Sequence, residues 1–342
     1  MILQSVSIAF LVGLLATWLI RKNAARLGLV QAANERSSHV GTIPTGGGAG
    51  LVAGAIAGSV NIALADPFLG SVLLLGLVMA LLGLADDRWP LPARYRLAIH
   101  FICVGLVVIA SGIALRSNPF GDFGVIAITF ALLIAGTWWV NLFNFMDGID
   151  GLAAVQGLTM CFSGIVLALI STGTGISTHP LFAAILTVFA ATAGFLIFNW
   201  PRASIFMGDS GSLFLGLMLF AFAVLSSNEG WVALYQWAIL GTLFAADATV
   251  TLVRRGLRGE NVMQAHRSHA YQRLARRFES HLAVTLGFGA INLFVLLPLA
   301  YFVRGDATLG WVAAAVAFGC ASVVAWRCGA GTRDRIDSSF RR

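Results

Sequence analysis

Apolar runs of about 20 residues, long enough to cross a bilayer as helices, recur eleven times along this chain. They lie at about 2–20, 48–65, 68–85, 97–115, 123–143, 152–171, 181–198, 210–226, 231–253, 284–303 and 309–326. A backbone in lipid has to satisfy its own N–H and C=O groups, so runs of this kind fold as helices. The expected fold class is all-α: a polytopic integral membrane protein with about 11 transmembrane helices. Composition agrees. Of 342 residues 58% are hydrophobic and 11% charged, against about 25% charged in soluble domains. A disordered chain, a nucleic-acid-binding domain and an ordinary water-soluble enzyme are excluded as the main reading.

The polar connections alternate in length. Short ones fall at 66–67, 116–122, 172–180, 227–230 and 304–308. Longer ones fall at 21–47, 86–96, 144–151, 199–209, 254–283 and 327–342. Of the 22 Lys and Arg residues, all but Arg116 and Arg304 lie in the longer set. The positive-inside rule then puts the longer connections and the C-terminus in the cytoplasm and the N-terminus outside. The formal charge of +7 thus belongs to a face held against anionic lipid rather than to a nucleic-acid site. The first run lacks a basic segment before it, so it reads as a span and not as a cleaved signal. Residues 1–326 read as one integral membrane catalytic domain, and 327–342 as a short, basic, disordered tail facing lipid.

Several patterns carry little chemistry. Cys103, Cys161, Cys320 and Cys328 have no metal or disulfide spacing. Gly50, Gly54 and Gly58 mark a small-residue face for close helix packing, within the chain or between chains. Gly48, Gly50 and Ala53 match G-x-G-x-x-A, but no strand precedes them, so a dinucleotide site is not expected.

The acids are more telling. Asp86 and Asp87 (GLADDR), Asp147 and Asp150 (NLFNFMDGIDGLA), and Asp209 (FNWPRASIFMGDSGS) all fall at helix ends on the longer-loop side. Solvated acids paired with the surplus arginines would be the bland explanation. Three acidic turns rich in Asn and Gly favour another, a ring of oxygen donors for Mg²⁺, with Mn²⁺ the alternative. Mg²⁺ takes one or two carboxylates plus substrate phosphates, and phosphoryl transfer needs charge neutralisation and alignment above all. A transporter would put its ionisable groups near the bilayer midplane and show a repeat. Only Asp247 approaches that depth, and no repeat is evident.

Five blocks then carry a resemblance: RSSHVGTIPTGGG at 36–48, GLADDR at 83–88, NLFNFMDGIDGLA at 141–153, FNWPRASIFMGDSGS at 198–212 and HRSHAYQRL at 266–274. In this order the chain resembles the polyprenyl-phosphate N-acetylaminosugar-1-phosphate transferases of glycosyltransferase family 4 type, over roughly residues 1–303. The last block departs from the family's run of histidines, since His269 is followed by Ala270, Tyr271 and Gln272.

The resemblance implies that an undecaprenyl phosphate oxygen attacks the β-phosphate of a UDP-N-acetylamino sugar and UMP leaves, at the cytoplasmic face of a bacterial inner membrane. It implies Asp86, Asp87, Asp209 and His269 as catalytic residues, with Asp209 and Asp87 as metal ligands. One of Asp86 and Asp87 would deprotonate or orient the lipid phosphate. In a loop both could reach one cation; in a regular helix they would diverge. Asn141, Asn144, Asp147, Asp150 and Asn199 would line the nucleotide-sugar pocket, and Phe206 would stack on uracil. His39 and Thr45 belong to the first block, whose glycines suit a phosphate. Arg202 and Arg267 would contact the diphosphate. His100, His179 and His281 read as structural. His266 falls beside the matched histidine. Asp247 is either a site residue or a partner of Arg254 or Arg255.

Single and double displacement both remain open, as does a dimer. The arrangement of the blocks is closest to O-antigen initiators using UDP-FucNAc, UDP-QuiNAc or UDP-GlcNAc, and so to lipopolysaccharide synthesis. A phospho-MurNAc-pentapeptide translocase and a lipid-linked sugar transporter are the alternatives.

Overall fold

The computed structural model describes residues 2–31, 43–116, 121–262, 264 and 266–333. It is all-helical apart from a two-strand pairing of β1 (Val30–Gln31) with β2 (Ile43–Pro44). The spans are α1 (Ile2–Leu27), α2 (Gly48–Ala65), α3 (Pro67–Arg88), α4 (Ala93–Ser111) followed by the short α5 (Ile113–Arg116), α6 (Gly121–Phe145), α7 (Leu152–Thr172), α8 (Pro180–Asn199) and α9 (Gly208–Asn228). The next span is broken. α10 (Leu234–Leu240) and α11 (Thr242–Leu257) meet at Gly241 with a bend of 69°. After α12 (Ala270–Phe278) the chain crosses once more as α13 (His281–Ile291) and α14 (Leu297–Phe302), joined by a π-helical stretch, and then as α15 (Ala307–Arg327). Ten described helices are long and apolar enough to span, and the bent pair makes eleven.

Nearly every residue of α9 is buried, which makes it the post around which α2, α3, α6 and α7 pack. The glycine face of α2 works within the chain. Side chains at Gly50, Gly54 and Gly58 would collide with Thr17, Gly13 and Ala9 of α1. The two interrupted spans release carbonyls that lipid could not satisfy, and buried amides serve them. Gln156 Nε2 donates to Leu240 O (3.1 Å) at the α10–α11 break, and Gln236 Nε2 donates to Ala300 O (2.9 Å) beyond the π stretch.

Several expected boundaries shift by a turn or so, two of them at the charged ends of α1 and α3. α1 runs on to Leu27, and α3 runs through Asp86 and Asp87 to Arg88. Both extensions are charged turns leaving the apolar zone, where polarity does not forbid helix. The C-terminal segment differs more. Of the tail expected to be disordered over 327–342, residues 328–333 fold back onto α11 and α12, with Ala330 fully buried, and 334–342 lie outside the described residues.

Candidate active site

Close backbone approach builds the site. Gly83 lies one turn before Asp87 on α3, against the first turn of α9. A Cβ there would fall inside the van der Waals shell of the Asp209 main chain. With no side chain in the way, α3 comes close enough for the Asp209 N–H to donate to both oxygens of Asp87, at 3.3 and 3.2 Å. Gly48 does the same for the first block, since its Cβ would strike Gly211. The Gly47 and Gly48 N–H groups donate to Phe206 O (2.9 Å) and Met207 O (2.8 Å), and the Phe206 N–H donates to Pro44 O (2.8 Å). Blocks one and four are thus stitched together, and buried Thr45 sits beside Gly208.

The adjacent carboxylates of α3 both reach Asp209, by different routes. Asp87 accepts from its main-chain N–H. Asp86 lies beside its side-chain carboxyl, accepts from the Leu91 N–H (2.7 Å) and pairs with Arg96 in the first turn of α4. Arg96 Nη1 also lies 3.6 Å from Asp209 Oδ2. On the opposite side of Asp209, Asn144 Nδ2 donates to Asp209 Oδ1 (2.9 Å) and to Ser212 Oγ (2.9 Å). Asp147 follows in the next turn. Burial, reinforced by the Asp209 and Asp150 carboxylates, holds its carboxyl up at about 8.

Other expected site residues lie behind this group. Asp150 is 2% exposed. It accepts from the Ala203 N–H (3.1 Å), lies 3.3 Å from His281 Nδ1, and its carbonyl accepts from Thr285 Oγ1 (2.8 Å). Buried Asn199 accepts from the Gly151 N–H (3.1 Å) and donates to Ile205 O (3.0 Å). Both side chains brace block three against block four. Asn141 Nδ2 is turned back onto Thr137 O (2.7 Å). Arg202 is exposed on the loop and Phe206 is half-buried there. His39 lies outside the described residues.

The fifth block joins through α12. Tyr271 Oη donates to Phe145 O (3.1 Å), and Gly148 leaves the space that Tyr271 occupies. His269, 2% exposed, precedes α12 and stacks between His266 (centroids 4.8 Å apart) and Tyr271 (5.5 Å). Asp247 caps this helix. Its two oxygens accept from the Ala270 and Tyr271 N–H groups, each at 2.8 Å, and Oδ1 lies 3.5 Å from His269 Nδ1. Of the two readings of Asp247, the pairing with Arg254 or Arg255 does not form. Arg254 stacks on Trp326 and Arg255 binds Glu260. Arg267 is half-buried beside His266.

Sequence reasoning misses Arg96. It lies in no block and resembles any other interfacial arginine; its position four residues before His100, on a helix entering the membrane, carries no chemical signal. The N-cap role of Asp247 is equally hidden, because its partners are more than 20 residues away.

Among the described residues, no three His, Cys, Asp or Glu side chains converge as a complete metal cage. Mg²⁺ does not require one. The Asp87 and Asp209 carboxylates supply hard oxygen donors of the kind it binds beside substrate phosphates.

Comparison with known proteins agrees with this architecture. Residues 69–227, which hold α3 to α9, match the model of glycosyl transferase family 4. The decaprenyl-phosphate N-acetylglucosaminephosphotransferase of Mycobacterium tuberculosis is 32% identical over 308 residues, covering 79% of this chain and 75% of that protein. A probable undecaprenyl-phosphate N-acetylglucosaminyl 1-phosphate transferase of Bacillus subtilis is 29% identical over 290 residues, covering 80% and 78%. A putative UDP-N-acetylglucosamine–dolichyl-phosphate N-acetylglucosaminephosphotransferase of Sulfolobus acidocaldarius is 31% identical over 233 residues, covering 64% and 69%. Similarity to relatives from three such distant sources, along a bundle whose first-turn aspartate on α9 meets the last turn of α3, leads to one conclusion: this multi-pass membrane protein belongs to the polyprenyl-phosphate aminosugar-1-phosphate transferase family.

Proposed function

We propose that this protein transfers an N-acetylamino sugar-1-phosphate from a UDP-sugar to undecaprenyl phosphate, releasing UMP, at the cytoplasmic face of a bacterial inner membrane. The observation that carries the reading is the Asp87–Asp209 pair, flanked by Arg96 and Asn144 at a helix junction where a lipid phosphate and a nucleotide can both arrive.

A lipid phosphate oxygen attacks the β-phosphorus of the UDP-sugar. The new P–O bond forms as the bond to the bridging oxygen breaks, and that oxygen leaves with UMP. Asp87 and Asp209 are the residues to hold Mg²⁺, or Mn²⁺ in its place, which when bound would neutralise diphosphate charge. Arg96, steered by Asp86, attracts the lipid phosphate. A strong base is unnecessary, because a phosphate monoester loses its second proton at about pH 6. Asp86 therefore serves to orient the acceptor. Asn144 holds the Asp209 carboxylate in place, and Asp147 lines the sugar-nucleotide side. Asp150 and Asn199 keep the two loops in register, and Asn141 backs the pocket. Phe206 gives the uracil a flat face, while Arg202, Arg267 and His269 meet the diphosphate. Thr45 and His39 complete the phosphate side.

The donors to try are UDP-N-acetylglucosamine, whose sugar the relatives' names carry, and UDP-FucNAc and UDP-QuiNAc, which the block arrangement suggests. The product would start an envelope polysaccharide such as O-antigen. Purified protein is incubated with undecaprenyl phosphate, Mg²⁺ and each UDP-sugar, and the released nucleotide is identified. UMP that depends on both lipid and metal supports the proposal and names the sugar. UDP would mean simple glycosyl transfer and overturn it.

A further inference from the structure

The C-terminal turn that follows the last span is held by directed contacts from α11, α12 and the segment between them. Gly331 N–H donates to Ser268 O at 2.7 Å. Arg254 Nη1 donates to Ala330 O (2.9 Å) while its guanidinium lies 3.7 Å over the Trp326 ring. Arg258 donates to Gly331 O. Arg273 Nη2 donates to Thr332 O (3.2 Å) and Arg333 O (3.3 Å), and Arg333 Nε meets Glu260 Oε1 at 3.0 Å. Glu260 also binds Arg255 (3.0 Å) and Arg258 (3.1 Å), so one carboxylate ties the turn to the segment after α11.

The Gly331 contact reaches Ser268, the residue between Arg267 and His269, and the others hold the turn in place around it. From this we infer that residues 328–333 are a strap that positions the His266–His269 segment for the donor diphosphate, and that Gly331 is its positioning residue. The inference rests on the transferase reading above. Gly331 has φ +72°, a conformation that L side chains rarely adopt. A Cβ there would also lie 2.7 Å from Thr251 O and 2.9 Å from Arg254 Cβ. A substituent must therefore lift the turn and pull the Gly331–Ser268 hydrogen bond apart. Arg254, Arg255 and Arg258 at the end of α11 and Arg273 on α12 thus bind backbone carbonyls and one glutamate.

The test compares full-length wild type, Gly331→Val and a truncation lacking residues 334–342, all in detergent. Amide hydrogen exchange is followed in peptides covering 264–270 and, as a reference, 83–91. The strap predicts exchange at 264–270 faster by about tenfold or more in Gly331→Val, with 83–91 unchanged, since local opening follows lost local contacts. Turnover is then measured per folded molecule. The strap predicts a higher KM for the UDP-sugar and a lower kcat, with KM for the lipid phosphate kept, and near wild-type behaviour for the truncation. Unchanged exchange at 264–270 overturns the strap. So does a loss of turnover that merely tracks unfolded protein and leaves both KM values alone. If wild type releases no UMP from any sugar, the transferase reading fails by itself, and the exchange result still decides whether the strap orders the segment.

Discussion

Two charged regions lie at the same end of this bundle and are built in opposite ways. Around α3 and α9, four carboxylates (Asp86, Asp87, Asp147 and Asp209) gather with Arg96 as the one cation paired to them among the described residues. Beyond α11, one carboxylate, Glu260, is gripped by Arg255, Arg258 and Arg333. In the first, backbones without side chains force like charges together, and burial pushes Asp147 up to about 8. In the second, burial opposes ionisation, but hydrogen bonds from the three arginines outweigh it and hold Glu260 down at about 2. Crowded like charge is an arrangement that a bound cation and a polyanionic substrate relieve; saturated opposite charge is an arrangement already at rest. Under the proposed function, the difference separates a region for chemistry from a region for support.

The contrast breaks most sharply at Asp209. Asp209→Asn is expected to lower UMP release by roughly 10³-fold or more, on the scale of removing a preorganised electrostatic group, with thermal stability kept. Wild-type turnover in that variant would take the acidic region out of the chemistry. Gly83→Leu comes next. Pushing α3 away from α9 by about 1 Å costs on the order of 10² in rate, with about 1–3 kcal/mol of overpacking. A denaturation curve alongside kinetics separates the two effects. Arg96→Ala is expected to raise KM for the lipid phosphate about tenfold, the scale of one charged hydrogen bond; an unchanged KM would leave Arg96 as a charge balance for Asp86 alone.

The supporting region predicts smaller effects. A carboxylate whose folded pKa lies below its unfolded value adds stability above the unfolded value. The contribution of Glu260 is thus complete above about pH 4.5 and disappears as pH falls towards 2. Glu260→Gln is expected to cost about 1 kcal/mol at neutral pH, as for a partly solvated ion-pair network, and to flatten the stability profile between pH 4.5 and 2. A profile that still falls by the same amount there would assign the acid sensitivity to another group. At the other end of the bundle, Glu229→Ala and Asp122→Ala should keep turnover within about twofold, as surface substitutions remote from the reacting groups do. A large loss at either, with normal folding, would place chemistry on the short-loop face.

Much of this architecture is legible in the amino-acid pattern. Helix in lipid follows from length and apolarity, which are local properties, so the eleven spans can be read directly, but not the 69° break at Gly241 in the run expected at 231–253. The acidic turns are legible because Asp beside Gly at a helix end has few bland explanations. Pairings across the chain are not. Asp87 meets the Asp209 N–H across 122 residues, and Thr285 reaches the Asp150 carbonyl across 135. Nothing in the pattern near Asp86 and Asp87 tells that Asp87 meets the Asp209 main chain and Asp86 its carboxyl. Asp247 reads as an intramembrane charge with either a site role or an arginine partner, yet two N–H groups of α12 take its oxygens, because a helix start is as good a partner for a carboxylate as an arginine.

The sequence by itself determined that the chain is a helical membrane protein, where its spans lie, and which blocks hold acids, amides and glycines. Those follow from hydropathy and backbone chemistry within a few turns of chain. Only the tertiary structure decided that Gly83 brings Asp87 to Asp209, that Arg96 joins Asp86 to the same group, and that residues 328–333 lie against Ser268 instead of trailing into lipid. Such choices depend on which helix faces meet, and the meeting is governed by steric fit between segments far apart in the chain, where the local pattern carries no record of the partner.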